Sequence, residues 1–197
     1  IFHGSEADEF PTLPDLEDGI EFELEQELFT QLIKQTEFAV SQDESKPFLT
    51  GGLLELAGEG VKLIATDTYR LAYRGETIEG MDLASEEVII PAQTLNNIKK
   101  LAEPDEEETI EVLITDNQAL FTFSGITMVS RLIEGEFPDY QQVIPDNNQT
   151  RVVADTKELL SSLKRAALVA KQDSDTVKLD LRDDKLIITS NAPEVGQ

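Results

Sequence analysis

The chain has 197 residues, no cysteine and a formal net charge of −24. That length allows one or two domains with a sizeable core. It carries no disulfide framework and no thiolate metal site, and no apolar run approaches a membrane span or a signal peptide. The acidity argues against general affinity for nucleic acid, which depends on Lys and Arg displacing counterions. The charge is uneven, however: Ile1 to Glu27 holds ten acids and no Lys or Arg, and Glu103 to Glu111 holds six acids and no base.

In chain order, residues 1–19 hold Phe2, Glu9-Phe10-Pro11 and Leu13-Pro14 among acids, which predicts a strand end followed by an extended linker. Ile20 to Leu24 alternates apolar with acidic and predicts a short strand. Gln26 to Val40 has helical period, with Leu28, Phe29, Leu32, Ile33, Thr36, Ala39 and Val40 on one face and Phe38 stranded off it. A loop from Ser41 to Pro47 follows. Strands at Leu53–Leu56 and Val61–Ala65 are joined by Gly58-Glu59-Gly60, a hairpin signal. Thr66-Asp67-Thr68 then makes a corner leading into a strand over Tyr69–Glu76.

The pattern repeats at once. Val88-Ile89-Ile90 predicts a strand, and Pro91 suits the first turn of a helix that runs to about Ala102 and stops before Pro104. Ile110–Thr115 and Ala119–Phe123 predict a hairpin across Asp116-Asn117-Gln118, and Ile126–Ile133 a further strand. The unit strand–helix–three strands therefore occurs twice. A longer repeat joins it: Glu9-Phe10-Pro11 recurs as Glu136-Phe137-Pro138, and Leu28, Phe29, Leu32 and Lys34 find echoes in Leu159, Leu160, Leu163 and Arg165. Gln42-Asp43 is answered by Gln172-Asp173. Asp155 with Glu158 is a capping-box arrangement opening the later helix. The chain is thus expected to hold the tail of one repeat, a complete second and the first part of a third.

Three stretches carry a resemblance. Thr66-Asp67-Thr68-Tyr69-Arg70-Leu71-Ala72, Lys46-Pro47-Phe48-Leu49-Thr50-Gly51 and Glu134-Gly135-Glu136-Phe137-Pro138-Asp139-Tyr140, in this order, resemble the signatures of the bacterial replication sliding clamp, the β subunit of DNA polymerase III. The resemblance implies an α+β DNA-clamp fold. Each domain would be a duplicated strand–helix–three-strand unit, with helices on one face and antiparallel sheets on the other. It divides the chain into residues 1–19 (end of a first domain and linker), 20–145 (a complete central domain) and 146–197 (the N-terminal part of a third).

The function implied is that of a cytoplasmic, non-catalytic processivity factor. The full-length protein would form a homodimeric ring around double-stranded DNA and recruit the replicative polymerase, clamp loader and repair proteins through a short linear motif. The fragment itself is expected to be monomeric, with no membrane partner, and its half-domain after about Thr150 to have exposed edges. The rival reading is a stand-alone acidic peptide-binding module without a DNA role.

Family positions that would form the partner groove match Leu49, Thr66, Thr68, Tyr69, Arg70, Leu71, Pro138, Gln142 and Val143. Aliphatic side chains would supply an apolar wall, and Arg70 and Thr66 hydrogen bonds. Many clamps carry Gly-His where this chain has Thr68-Tyr69, and often Arg where it has Gln142. The DNA-facing candidates are Lys46 and Phe48, by resemblance, and Gln93, Lys99, Lys100, Lys164 and Arg165, from basic or neutral helix faces in an acidic chain. No glycine-rich phosphate loop, metal constellation or catalytic triad is apparent, and the one histidine, His3, has no partner to make a site. No cofactor and no metal are expected.

Overall fold

The computed structural model describes residues 19–102, 108–170, 176–182 and 184–190. The expected linker over residues 1–18, with His3, lies outside the described residues, as do most of the acidic 103–111 run and Gln172-Asp173. The described residues up to Val143 form one compact unit and those from Ile144 a second.

The first unit runs β1 (Ile20–Glu25), α1 (Gln26–Thr36), β2 (Gly51–Gly58), β3 (Gly60–Thr66), β4 (Leu71–Thr77), β5 (Leu83–Pro91), α2 (Ala92–Leu101), β6 (Thr109–Ile114), β7 (Gln118–Phe123) and β8 (Ile126–Arg131). The duplication is exchanged between two antiparallel sheets, ordered β1-β6-β7-β8 and β4-β3-β2-β5. The leading strand of each half pairs with the hairpin of the other: β1 with β6, and β5 with β2. Neither half can therefore complete a sheet alone, and the two copies fold as one body.

Period explains the core. On α1 the residues Phe29, Leu32 and Ile33 fall on one stripe, and on α2 Leu95 and Ile98 do; all are fully buried. They meet the inward sides of both sheets, among them Phe22, Leu54, Leu63, Ile90, Val112 and Phe121, in one continuous apolar cluster. Burying each such side chain contributes roughly 1.5–3 kcal/mol. The start of α1 is tied to β6, the neighbour of β1, by buried Gln26, whose amide nitrogen donates to the Thr109 carbonyl at 3.0 Å and to Glu108 Oε2 at 3.0 Å.

Four boundaries differ from expectation. The first helix closes at Thr36, whose hydroxyl donates to the Leu32 carbonyl at 2.7 Å, and a 3-10 turn over Glu37–Ala39 follows. Pro91 precedes the helix with extended backbone rather than occupying its first turn. β5 begins at Leu83, five residues before its apolar run, because β2 continues to pair with it as far as Glu86 and, beyond a bulge, Leu83. β4 begins at Leu71 and not Tyr69, for the reason given with the corner below.

In the second unit α3 (Thr156–Ala170) is followed by the hairpin β9 (Val177–Arg182) and β10 (Lys185–Ser190). Asp155 caps the helix, its Oδ1 accepting the Glu158 amide at 2.9 Å. One helix on a two-stranded sheet cannot enclose an apolar stripe. Leu160, Leu168, Leu179 and Leu181 are accordingly exposed, and Ala170 is the one buried residue of the helix.

Candidate partner-binding surface

The corner between β3 and β4 is built around one carboxylate. Asp67 Oδ1 accepts the amides of Tyr69 at 3.1 Å and Arg70 at 3.0 Å, while Oδ2 accepts Arg70 Nε at 3.0 Å. The Thr66 hydroxyl donates to the Arg70 carbonyl at 2.8 Å and accepts the Thr68 amide at 3.1 Å. Side-chain oxygens thus take the amides that a strand ladder would otherwise use, so pairing resumes only at Leu71. Thr68 sits at φ +77°, a left-handed position closing the turn. Some burial works to raise the Asp67 pKa, but the Arg70 and Tyr69 amides and the guanidinium outweigh it and hold the carboxyl below its ordinary value.

The corner pushes side chains outward. Tyr69 is 96% exposed. The Arg70 guanidinium lies over the ring of Phe38, 5.5 Å from its centroid. Phe38, off the apolar stripe in the sequence, is 56% exposed in the 3-10 turn after α1. It was not foreseen as part of any site, although its misfit to the helical stripe was the available signal.

The face of the β4-β3-β2-β5 sheet turned away from the helices carries the second part. Alternation sends Leu53, Ile64, Leu71 and Ile89 to this outer side, where Phe48, Ile133, Phe137 and Tyr140 cover them. Gly135 makes this cover possible. It adopts φ +137°, and a Cβ there would stand 3.2 Å from that of Phe48. Asp139 then organises the following 3-10 turn, Tyr140–Val143, accepting the Gln141 amide at 3.2 Å and the Gln142 side-chain amide at 2.7 Å.

The segment is fastened through Glu55, which stands directly across the hairpin from Lys62. Glu55 pairs with the Lys62 ammonium and accepts the Tyr140 hydroxyl at 2.7 Å. Burial alone would raise the Glu55 pKa; the hydrogen bonds from Lys62 and Tyr140 reverse this and lower it. The bond to Glu55 raises the Lys62 pKa. Burial first, and then the bond to Glu55, push the Tyr140 phenol far above its ordinary value. Between this segment and the sheet lies an open cavity of about 450 Å³ with Leu53, Ile89, Phe137 and Pro138 among its walls.

The nine sequence-predicted groove residues fall into four places. Thr66, Thr68, Tyr69 and Arg70 share the corner, while Leu71 joins the outer apolar cluster that also holds Phe137 and Tyr140, the neighbours of Pro138. Gln142 and Val143 lie on the 3-10 turn, Val143 being 66% exposed. Leu49 is 1% exposed and belongs to the interior, so it offers a partner no open surface.

Among the DNA-facing candidates, Lys46, Gln93, Lys100, Lys164 and Arg165 are exposed. Arg165 donates to Ser161 Oγ at 2.7 Å and Ser162 Oγ at 2.9 Å on its own helix. Two candidates are engaged elsewhere. Lys99 is ion-paired with Glu37, because the turn after α1 carries Glu37 toward α2. Phe48 is part of the outer apolar cluster, drawn there by the close approach of Gly135. Glu21, Glu23 and Glu25 on β1 and Glu111 on β6 are exposed, further exposed acids lie in the loops and at Glu158 on α3, and α2 has none. Among the described residues no helix is long and apolar enough to cross a membrane, and no group of three potential metal ligands occurs.

Comparison with known proteins agrees with this architecture. Residues 23–139 match the model of the DNA polymerase III beta subunit central domain, and residues 141–197 that of its C-terminal domain. The beta sliding clamp of Bacillus subtilis is 35% identical over 197 residues, covering 99% of this chain and 52% of the relative. The crystal structure of the Bacillus subtilis sliding clamp superposes with a TM-score of 0.89 at 34% identity, over 96% of this chain and 50% of that one. A Pseudomonas aeruginosa sliding clamp bound to griselimycin gives a TM-score of 0.87 at 28% identity, over 95% and 51%. The chain belongs to the DNA polymerase III beta subunit family, the sliding clamps of DNA replication, with their α+β fold of helices and antiparallel sheets. It spans about half the length of the relatives it matches.

Proposed function

We propose that the chain is part of a non-catalytic processivity factor: a ring-forming homodimer, when full length, that encircles duplex DNA. It comprises the end of one clamp domain (1–19), a whole central domain (20–145) and the first part of a third (146–197). The replicative polymerase, clamp loader and repair proteins are held through a short linear motif seated against Thr66, Thr68, Tyr69, Arg70, Leu71, Pro138, Gln142 and Val143. Lys46, Gln93, Lys100, Lys164 and Arg165 meet the duplex, with Lys99 and Phe48 in supporting positions.

The observation that carries the reading is the Asp67-braced corner. It holds an exposed guanidinium and an exposed phenol beside Leu71, at the margin of an apolar outer face. Aromatic and Arg groups fixed in this way are the anchors from which peptide-docking surfaces draw most of their affinity. The griselimycin-bound Pseudomonas aeruginosa clamp supports a ligand site within this family. For DNA, the support is α2, which exposes Gln93 and Lys100 and holds no acid in a chain of net charge −24, an arrangement that favours loose phosphate contact there without base readout.

The test is calorimetry with a peptide copied from the C-terminal tail of the cognate replicative polymerase. Arg70→Ala is expected to weaken binding by about tenfold or more while leaving the circular dichroism spectrum unchanged. Equal affinity in the two proteins would remove Arg70 from the site.

A further inference from the structure

We infer that Phe38 is a positioning residue of the partner surface. Its ring fixes the Arg70 guanidinium so that the two terminal nitrogens face outward as a fork for paired oxygen acceptors on the bound peptide. This rests on the peptide-docking role proposed for the corner.

Arg70 is constrained on two sides. Its Nε is held by Asp67 Oδ2 at 3.0 Å, and its Cζ lies over the Phe38 ring, 5.5 Å from the centroid. Among the described residues the terminal nitrogens make no hydrogen bond; the one side-chain bond of Arg70 is through Nε. A guanidinium held at Nε and set over an aromatic ring leaves its terminal nitrogens for planar oxygen pairs, which they engage bidentately.

Phe38 stands 32 residues before Arg70, on a different element. It is stacked and 56% exposed where a core role would have buried it. The α-to-3-10 switch at Thr36 places it: the 3-10 turn buries Ala39 against Ala65 and Ala72, at the roots of the corner strands, and leaves Phe38 outside. With Tyr69 exposed on the corner itself, Arg70 has aromatic surface from two elements available to a ligand. A ligand that lays an apolar side chain on this surface and turns two oxygens toward Arg70 satisfies both. In a chain of net charge −24, it also places its acceptors at a fixed cation.

Holding the fork in advance lowers the ordering cost of binding. An exposed cation–π contact corresponds to an affinity loss of about two- to fivefold on Phe38→Ala, with Phe38→Tyr and Phe38→Trp close to the parent.

The experiment combines three readouts. In the side-chain NMR spectrum of the 197-residue chain, the Arg70 δ-methylene and Nε–H signals are expected at ring-shifted positions that collapse toward random-coil values in Phe38→Ala and persist in Phe38→Tyr. Unchanged Arg70 signals in Phe38→Ala overturn the proposal. With the polymerase-tail peptide as probe, Phe38→Ala is expected to weaken binding in the parent but to have no further effect on top of Arg70→Ala. Equal effects in both backgrounds would make Phe38 an independent contact and overturn the positioning role. If the parent binds neither the peptide nor griselimycin while the Arg70 signals behave as expected, the docking role of the corner fails and the Phe38–Arg70 pairing stands.

Discussion

Removing the Tyr140 hydroxyl tests how the outer face is held. Tyr140→Phe keeps the ring against Leu53, Ile64 and Ile89 and its approach to Tyr73, 6.0 Å between centroids, but deletes the 2.7 Å bond to Glu55. Hydrogen bonds to charged groups contribute about 1.5–3 kcal/mol. Glu55 retains Lys62 as a partner, so the loss belongs at the lower end, about 1.5–2 kcal/mol. In a protein of this size that corresponds to a midpoint lower by roughly 3–8 °C.

Urea denaturation followed by far-ultraviolet circular dichroism measures the loss, and tyrosine emission checks its location. All three tyrosines, Tyr69, Tyr73 and Tyr140, lie in the first unit, and the chain has no tryptophan. The double variant Tyr140→Phe/Glu55→Gln supplies the control. If the hydroxyl acts through the carboxylate, its deletion costs little once Glu55 is neutral, a coupling of at least about 0.5 kcal/mol. A Tyr140→Phe protein as stable as the parent, or strictly additive single effects, would show that packing alone fastens the segment.

The same network sets a pH dependence. The Glu55 pKa is lowered in the folded protein, so its contribution is present above its ordinary value of 4.5 and is lost as pH falls through the folded value. The pKa values of Lys62 and Tyr140 are raised, so their contributions are complete below 10.5 and 10.0 and disappear as pH rises beyond them. Urea midpoints against pH should form a plateau with acid and alkaline limbs, both shallower in Glu55→Gln; limbs of parental steepness in that variant would place the titration elsewhere. Gly51→Ala should unfold or severely destabilise the first unit, because a Cβ there would lie 2.4 Å from the Ile90 carbonyl oxygen across the β2–β5 pair. A native thermal transition in that variant would refute the close approach.

Most elements were legible because the apolar period changes cleanly between 3.6 and 2 along the chain. Phe29, Leu32, Ile33, Leu95 and Ile98 fixed the two helix stripes, and the hairpin at Gly58-Glu59-Gly60 fixed a register. What stayed hidden depended on partners far along the chain. Tyr69-Arg70 alternates like a strand, but Asp67 captures its amides. Leu83 to Glu87 has no apolar pattern and is a strand because β2 pairs with it. The exchange of β1 and β5 between sheets has no local signature. It follows from both halves lacking a fourth strand until the other supplies it.

For the site, motif matching found the corner and the Glu134–Tyr140 segment but not what holds either in place. Glu55 and Lys62 read as ordinary outward residues of a hairpin, and only the fold brings Tyr140, 85 residues on, to the carboxylate. Phe38 carried a visible anomaly, an aromatic off the stripe, with nothing in the sequence to say that Arg70 would cover it.

The pairing of Lys99 with Glu37 bears on how the helix side would treat a polyanion. A lysine already bonded to a carboxylate must lose that partner, or share it, before it can neutralise a phosphate, so its gain is smaller than that of a solvated lysine. The side chains of both Lys99 and Glu37 are about one-fifth exposed, which leaves the pair less screened than a fully solvated one and harder to separate. Lys100, one residue on, is exposed and makes no ion pair among the described residues. Two adjacent lysines of identical chemistry therefore differ in role. Lys99 joins the turn after α1 to α2, and Lys100 stands exposed to solvent. In the DNA-facing role proposed for it, such a surface would attract phosphate weakly at few points and stay near a duplex without fixing its position along it.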